Sequence, residues 1–332
     1  MHIHGSWVVA LIEVLEATGC ARAELMALMQ LGEHDAVAQI RHPVHRIEPL
    51  WQLADERIGA HAGLQVAAHF RPQHWAQLGL GLLSSRNLGE IIERMTVFSR
   101  LMTDALFMSM SAETPGTLTF RTRFAFPQPL EASRVEAYVG ASLALVKMLI
   151  PQLTMPLRVD LMREQPADAT PWQAIFGEHL HWGHECVALH IAADDLLAAV
   201  PGADATIAAM HQAFLQRQLS ELDDQTLVAQ VRQTLRHHLG QAATNIDNIA
   251  ARLNTSGRTL QRRLQNAGVP FRDLLQQVRQ ELAQHYLSNT NLSLGDIAEQ
   301  LGYRHHSNFT HAFRETNGCT PLQYRQQTQA AA

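Results

Sequence analysis

The sequence predicts two domains of different class: an α+β domain over residues 1–219, then an all-α domain over residues 220–332 holding two helix-turn-helix units joined by a linker helix. Three observations carry this. Ile246, Ile249, Ala250 and Leu253 stand at i, i+3, i+4 and i+7, and Leu294, Ile297, Ala298 and Leu301 repeat the spacing; each set is the apolar face of a short helix. Apolar residues alternate with period two only in the first part, most clearly between residues 106 and 124, so strands are expected there alone. Charge is also divided. Residues 223–332 carry 11 arginines against 8 carboxylates, which leaves −8 on residues 1–222 of a chain whose formal net charge is −5. A basic helical part on an acidic remainder suits a nucleic-acid module joined to a domain that need not touch nucleic acid.

With 332 residues, 46% of them apolar, the chain can bury two cores. Its three cysteines, Cys20, Cys186 and Cys319, are odd in number and lack framework spacing, which predicts reduced thiols and a cytoplasmic setting. No basic stretch leads into an apolar one near Met1, and charges interrupt every apolar run; neither a signal peptide nor a membrane span is expected.

Along the chain, helices are predicted at residues 7–18, 22–31, 46–58 and 63–70. Asn87-Leu88-Gly89-Glu90 reads as a capping box opening a helix to about Met102, with Leu88, Ile91, Ile92, Met95, Phe98 and Met102 inward. Residues 106–111 and 117–124 flank Glu113-Thr114-Pro115-Gly116 as strand, turn, strand. A helix over 130–150 is apolar on more than one side, strands follow at 157–161 and 186–191, and helices at 196–199 and 204–219. Glu221-Leu222-Asp223-Asp224 reads as a polar joint. Beyond it, Leu227, Val231, Leu235 and Leu239 predict a helix that packs under the first repeat. Residues 271–287 form one linker helix of about 25 Å with Leu274, Leu275, Val278, Leu282 and Tyr286 inward.

Within each repeat a tight connection, Asn254-Thr255 or Gly302-Tyr303, leads to a second helix that ends at Gly268 or Gly318. In a helix-turn-helix that second helix enters the major groove by its N-terminal part. With Leu260 and Leu264 inward, Arg258, Gln261 and Arg262 face outward; with Phe309 and Phe313 inward, the outward set is His306, Ser307, Asn308 and His311. Arginine gives two bonds to guanine and glutamine two to adenine. A single polar stripe is ordinarily a solvated face; two in register on a duplicated unit point to DNA.

Thr259-Leu260-Gln261-Arg262-Arg263-Leu264, Asp296-Ile297-Ala298, Leu301-Gly302-Tyr303, Asn308-Phe309, Ala312-Phe313-Arg314 and Gly318-Cys319-Thr320-Pro321-Leu322-Gln323-Tyr324-Arg325 resemble the DNA-binding domain of AraC/XylS-type transcription regulators over roughly the last hundred residues. The resemblance implies base contacts from Arg258, Gln261 and Arg262. It departs at Gly257, where proline or a better helix former is usual, and at His311, where the family commonly has a base-contacting arginine. Leu82-Leu83-Ser84-Ser85, Leu88-Gly89-Glu90, residues 101–105 and Pro201-Gly202-Ala203-Asp204 resemble the effector domain of the ornithine-regulator/VirS-like branch, not the sugar-binding cupin barrel, and imply a small-molecule sensor.

His179, His181, His184 and Cys186 put four potential metal ligands into eight positions, but 19 histidines are scattered through the chain. No metal or other cofactor is expected, and these four are the weak candidates for one. All five tryptophans precede residue 220; Trp75, Trp172 and Trp182 are the candidates to line an effector pocket, against the commoner role of core. No phosphate loop, Gly-x-Ser-x-Gly or His-Glu-x-x-His is present, and three dispersed cysteines cannot supply both a zinc site and a reactive thiol. The chain is therefore not expected to be an enzyme. The reading is a DNA-binding regulator controlled by a small molecule in residues 1–219, acting as a homodimer on double-stranded promoter DNA, with RNA polymerase a candidate partner. The alternative is a ligand-independent architectural protein whose N-terminal domain only assembles protomers. Surplus apolar surface places the dimer contact on residues 130–150 or 204–219.

Overall fold

The computed structural model describes residues 1–32, 35–124, 131–154, 156–240, 244–303 and 305–330. They divide into two compact units, Met1–Leu219 and Ser220–Ala332.

Unit 1 opens with β1 (His2–His4), α1 (Gly5–Ala17), α2 (Arg22–Leu28), β2 (Arg41–Pro43), α3 (Val44–Ile58), α4 (Ala62–His69), α5 (Ala76–Leu83) and α6 (Leu88–Met102). The α2 helix stops three residues before its predicted end, because Gln30 turns into the left-handed region at φ 58°. Asn87 does cap α6, accepting from the Glu90 N–H at 2.9 Å, but the Glu90 carboxylate reaches past the cap to the Arg86 N–H at 2.8 Å. Every residue predicted for the inner face of α6 is buried.

The chain continues with β3 (Leu106–Thr114), β4 (Thr117–Phe124), α7 (Glu131–Leu149), β5 (Arg158–Asp160), α8 (Thr170–Phe176), β6 (Leu180–His181) and β7 (Val187–Ala192). The predicted start of the α7 helix, Leu130, lies outside the described residues. The five strands form one open sheet in the order β3-β4-β7-β5-β6, antiparallel except for the β5 and β6 pair, while β1 and β2 pair separately. The short strands β1, β2 and β6 and the helices α5 and α8 had no distinct periodic signal.

Residues 133–143 of α7, within one of the two stretches expected to supply a dimer contact, are buried inside unit 1, whereas Met148 near its end is exposed. The break in the helix expected at the polar joint is absent, since α9 (Ala205–His238) runs unbroken through residues 221–224, although the two compact units part beside it, between Leu219 and Ser220. Polar residues do not end a helix, and no glycine or proline lies between Ala205 and Leu239. The predicted helix at 196–199 is instead a 3-10 turn over Ala193–Leu197.

Unit 2 contains the end of α9, α10 (Ile246–Arg252), α11 (Gly257–Asn266), α12 (Phe271–Asn289), α13 (Leu294–Gln300), α14 (His306–Asn317) and α15 (Pro321–Ala330). It has two small cores. Leu227, Val231, Leu235 and Leu239 of α9 and its end close over Ile249, Leu260 and Leu264. Leu287, Ile297, Leu301, Phe309 and Phe313 form the second. The α12 helix serves both, giving Leu274 and Val278 to one and Ala283 and Leu287 to the other; its 19 residues make it about 28 Å long.

Candidate nucleic-acid interface and effector domain

The two repeats in unit 2 close in the same way. Asn245 caps α10 and Ser293 caps α13, accepting from the backbone N–H of Asn248 and Asp296. The tight turn between helices needs one residue at positive φ, Asn254 at 53° and Gly302 at 71°. The next N–H then returns to the first helix, Thr255 to the Ala250 carbonyl and Tyr303 to that of Ala298, both at 2.9 Å.

The second helices differ at their entry. Ser256 caps α11 by accepting from the Thr259 N–H at 3.2 Å, whereas His305, at the start of α14, makes no side-chain cap bond. Gly257 opens α11 hard against α10: a Cβ there would stand 1.9 Å from Oδ1 of Asp247, so a side chain at this position must displace that carboxylate. Arg258, Gln261 and Arg262 are exposed on one face of α11. Arg263 is turned away and donates to Asp224 of α9 at 2.8 Å, so the two adjacent arginines have different work. On α14, His306, Ser307, Asn308 and His311 are all exposed. His311 Nδ1 lies 3.6 Å from Glu315, a carboxylate one turn on.

The sequence reading did not single out Arg279 of α12. It donates to the carbonyls of Leu301 at 3.0 Å and Gly302 at 3.3 Å, and its guanidinium lies 4.6 Å from the centre of the Tyr303 ring. Burial pulls the Arg279 pKa below its ordinary value and pushes that of Tyr303 up. The linker helix is thereby tied to the turn of the second repeat. An outward-looking search for base contacts passes over an arginine that bonds inward.

In unit 1, none of Trp75, Trp172 and Trp182 lines the polar cleft beside α6 or the apolar cavity beside α1. Trp75 is core, packed edge-on to Phe70 and Tyr138. Trp172 is fully buried and donates to Glu136 at 3.1 Å, while Arg163 grips the same carboxylate with two bonds at 2.6 and 2.7 Å. Burial raises the Glu136 pKa, and the Arg163 guanidinium and the indole N–H oppose that rise. Trp182 packs edge-on to Trp172.

The candidate metal ligands do not converge either. His179 and His181 are exposed, His184 and Cys186 half-buried, and among the described residues no group of three or more His, Cys, Asp or Glu is arranged to hold an ion.

One cavity in unit 1 is a polar cleft of about 230 Å³ between α6 and the start of α9, with Glu90, Arg94 and Gln212 on its walls. Arg94 is 4% exposed. Its guanidinium donates to the carbonyls of Gly81 and Ala208, the hydroxyls of Ser84 and Ser85, and Gln212. Asp204 caps α9 by accepting from Thr206 and Ile207. Of the segments that carried the N-terminal resemblance, Ser84 and Ser85 bond this buried guanidinium and Glu90 shares its cleft; burial lowers the Arg94 pKa. The other cavity is small and apolar, with Trp7, Trp51 and Phe124 among its walls.

A family model described as the arabinose-binding domain of AraC transcription regulators, N-terminal, matches residues 19–200, and one described as a helix-turn-helix domain matches 249–327. The Ornithine utilization regulator of Pseudomonas aeruginosa is 30% identical over 267 residues, 79% of this chain and 76% of that protein. The chain belongs to the AraC family of transcription regulators. VirS of Mycobacterium tuberculosis is 37% identical over 102 residues, 31% of this chain and 30% of VirS. The crystal structure of the regulator CdpR from P. aeruginosa covers 92% of the chain and is itself covered to 96%, at 20% identity and a TM-score of 0.46. As an AraC-type regulator the chain has a sheet-containing N-terminal effector-type domain and a helical DNA-binding one. The N-terminal sheet is open, not a closed barrel, over the described residues. None of the described helices is long and apolar enough to cross a membrane.

Proposed function

We propose that residues 220–332 bind promoter DNA through the N-terminal halves of α11 and α14, and that residues 1–219 bind the small molecule that controls this and join two protomers. The observation that carries the first part is the exposure of Arg258, Gln261 and Arg262 together on α11, each able to bond a base edge. His306, Ser307, Asn308 and His311 are the corresponding contacts on α14. A linker helix of about 28 Å is shorter than the ~34 Å between successive major-groove faces, so one protomer engaging both bends the DNA or holds the second groove loosely. The protein works in the cytoplasm on double-stranded DNA.

For the dimer, the exposed Ile207 and Met210 of α9 are the apolar surface on which the contact is placed. Sedimentation of the full chain checks this: Met210→Glu is expected to shift a dimer toward monomer, and an unchanged distribution counts against α9. Footprinting on selected binding sites tests the DNA reading, with protection of two adjacent major grooves as the expected result.

A further inference from the structure

Resting on the reading that unit 1 binds a small molecule, we infer that the effector site is the polar cleft between α6 and the start of α9, and that its ligand is a small zwitterion carrying an ammonium and a carboxylate. Arg86, Glu90, Glu93 and Arg94 reach the cleft from α6 and the turn before it, and Ala205, Ala208, Ala209 and Gln212 from α9. Its volume of about 230 Å³ lies just under the ~300 Å³ at which ordinary ligand pockets begin. That is room for a compact metabolite.

The charges select the class. Two arginines face two glutamates, so the walls sum to zero and the cleft as a whole favours neither a bare anion nor a bare cation. Arg86 and Glu90 satisfy each other one turn apart, Nε to Oε1 at 2.5 Å. The other two charges are not matched in this way. Arg94, 4% exposed, donates only to neutral acceptors: the carbonyls of Gly81 and Ala208, the hydroxyls of Ser84 and Ser85, and the Gln212 amide. A buried charge ordinarily has an ion opposite it. Glu93 is exposed and makes no hydrogen bond or ion pair with another described residue. Neighbours in sequence on a helix do not face each other, so Glu93 and Arg94 cannot close on one another, and a ligand lying between them serves both.

Donors for the ligand's carboxylate remain beside this pair. Gln212 spends its carbonyl oxygen on Arg94 Nε at 3.2 Å, which leaves its amide N–H groups. Arg86 meets Glu90 through Nε and Nη2, which leaves Nη1. A carboxylate takes these bonds with the Arg94 charge behind it, while an ammonium meets Glu93; both are charge-assisted contacts. The methyl groups of Ala205, Ala208 and Ala209 give the ligand's short body an apolar wall.

The test is calorimetric titration and thermal shift of the full chain with γ-aminobutyrate and L-valine. Butyrate, butylamine, N-acetylvaline and valinamide are the counterparts that lack one charge. At least one zwitterion is expected to bind and raise Tm, and its counterparts are not. Glu93→Gln should weaken that zwitterion about tenfold. Ala209→Phe, at an exposed helical position, fills the cleft and should abolish binding while the unliganded chain melts as before. A counterpart that binds as tightly as its zwitterion overturns the ligand class. Binding that ignores both substitutions overturns the site. No response to either zwitterion, with a clear response to other metabolites, overturns this inference and leaves ligand control standing; no response to any compound, with promoter binding equally unmoved, overturns both.

Discussion

In the first helix-turn-helix unit the chain returns from Thr255 to Ala250, in the second from Tyr303 to Ala298, with the same bond at the same 2.9 Å. The two units nevertheless present different chemistry. The first shows two exposed arginines and a glutamine from a capped helix; the second shows two histidines, a serine and an asparagine, with Glu315 beside His311. A repeated backbone needs only the apolar spacing, the capping residue and the tight turn. The outward positions bear none of that load, so the copies can diverge there while folding alike.

The largest expected effect tests whether the two cores are separate. Phe313→Ala empties the centre of the second core and should cost about 3–5 kcal/mol, with Leu264→Ala costing the first about 2–5 kcal/mol. Hydrogen exchange would show the loss confined to the substituted repeat; equal loss of protection in both would mean that α12 makes them one cooperative body. Next comes specificity. Arg262→Ala should cost about 1–3 kcal/mol and relax sequence preference under the first unit, whereas His311→Ala should cost less. Site selection returning equal information under both units would break the contrast.

Arg279→Met keeps much of the apolar stem but frees the carbonyls of Leu301 and Gly302. It should destabilise the second unit by about 1–2 kcal/mol, measured by urea unfolding, and leave base preference under the first unit unaltered. The smallest effect belongs to Glu315→Gln. Removing an exposed carboxylate beside His311, on the side of α14 proposed to meet DNA, should strengthen binding by a few tenths of a kcal/mol at low salt and fade as salt rises; titration at two ionic strengths checks it.

Much of unit 2 was legible in the sequence because its information is local. Asn245, Ser256 and Ser293 are caps within three residues of the groups they bond, and the i, i+3, i+4, i+7 spacing marks a face without reference to the rest of the chain. The outward sets of α11 and α14 follow from the same periodicity, and both are exposed as expected. Unit 1 was legible only in parts: the inner face of α6 and the β3–β4 hairpin announce themselves by period, but the end of α2 and the 3-10 turn over Ala193–Leu197 do not.

The sequence by itself determined the class of each part, the duplicated units, their turns and the side chains they present, because helix period, capping and turn chemistry act over a few residues. Only the tertiary structure decided that α7 is core, that Ser84, Ser85 and Ala208 serve Arg94, and that Trp7, Trp51, Phe124 and Arg134 share one cavity. Ala208 lies 114 positions from Arg94, and Trp7, Trp51 and Phe124 come from three distant segments. A buried guanidinium or an aromatic wall is defined by what surrounds it, and spacing along a chain carries no record of which distant segments burial will bring together.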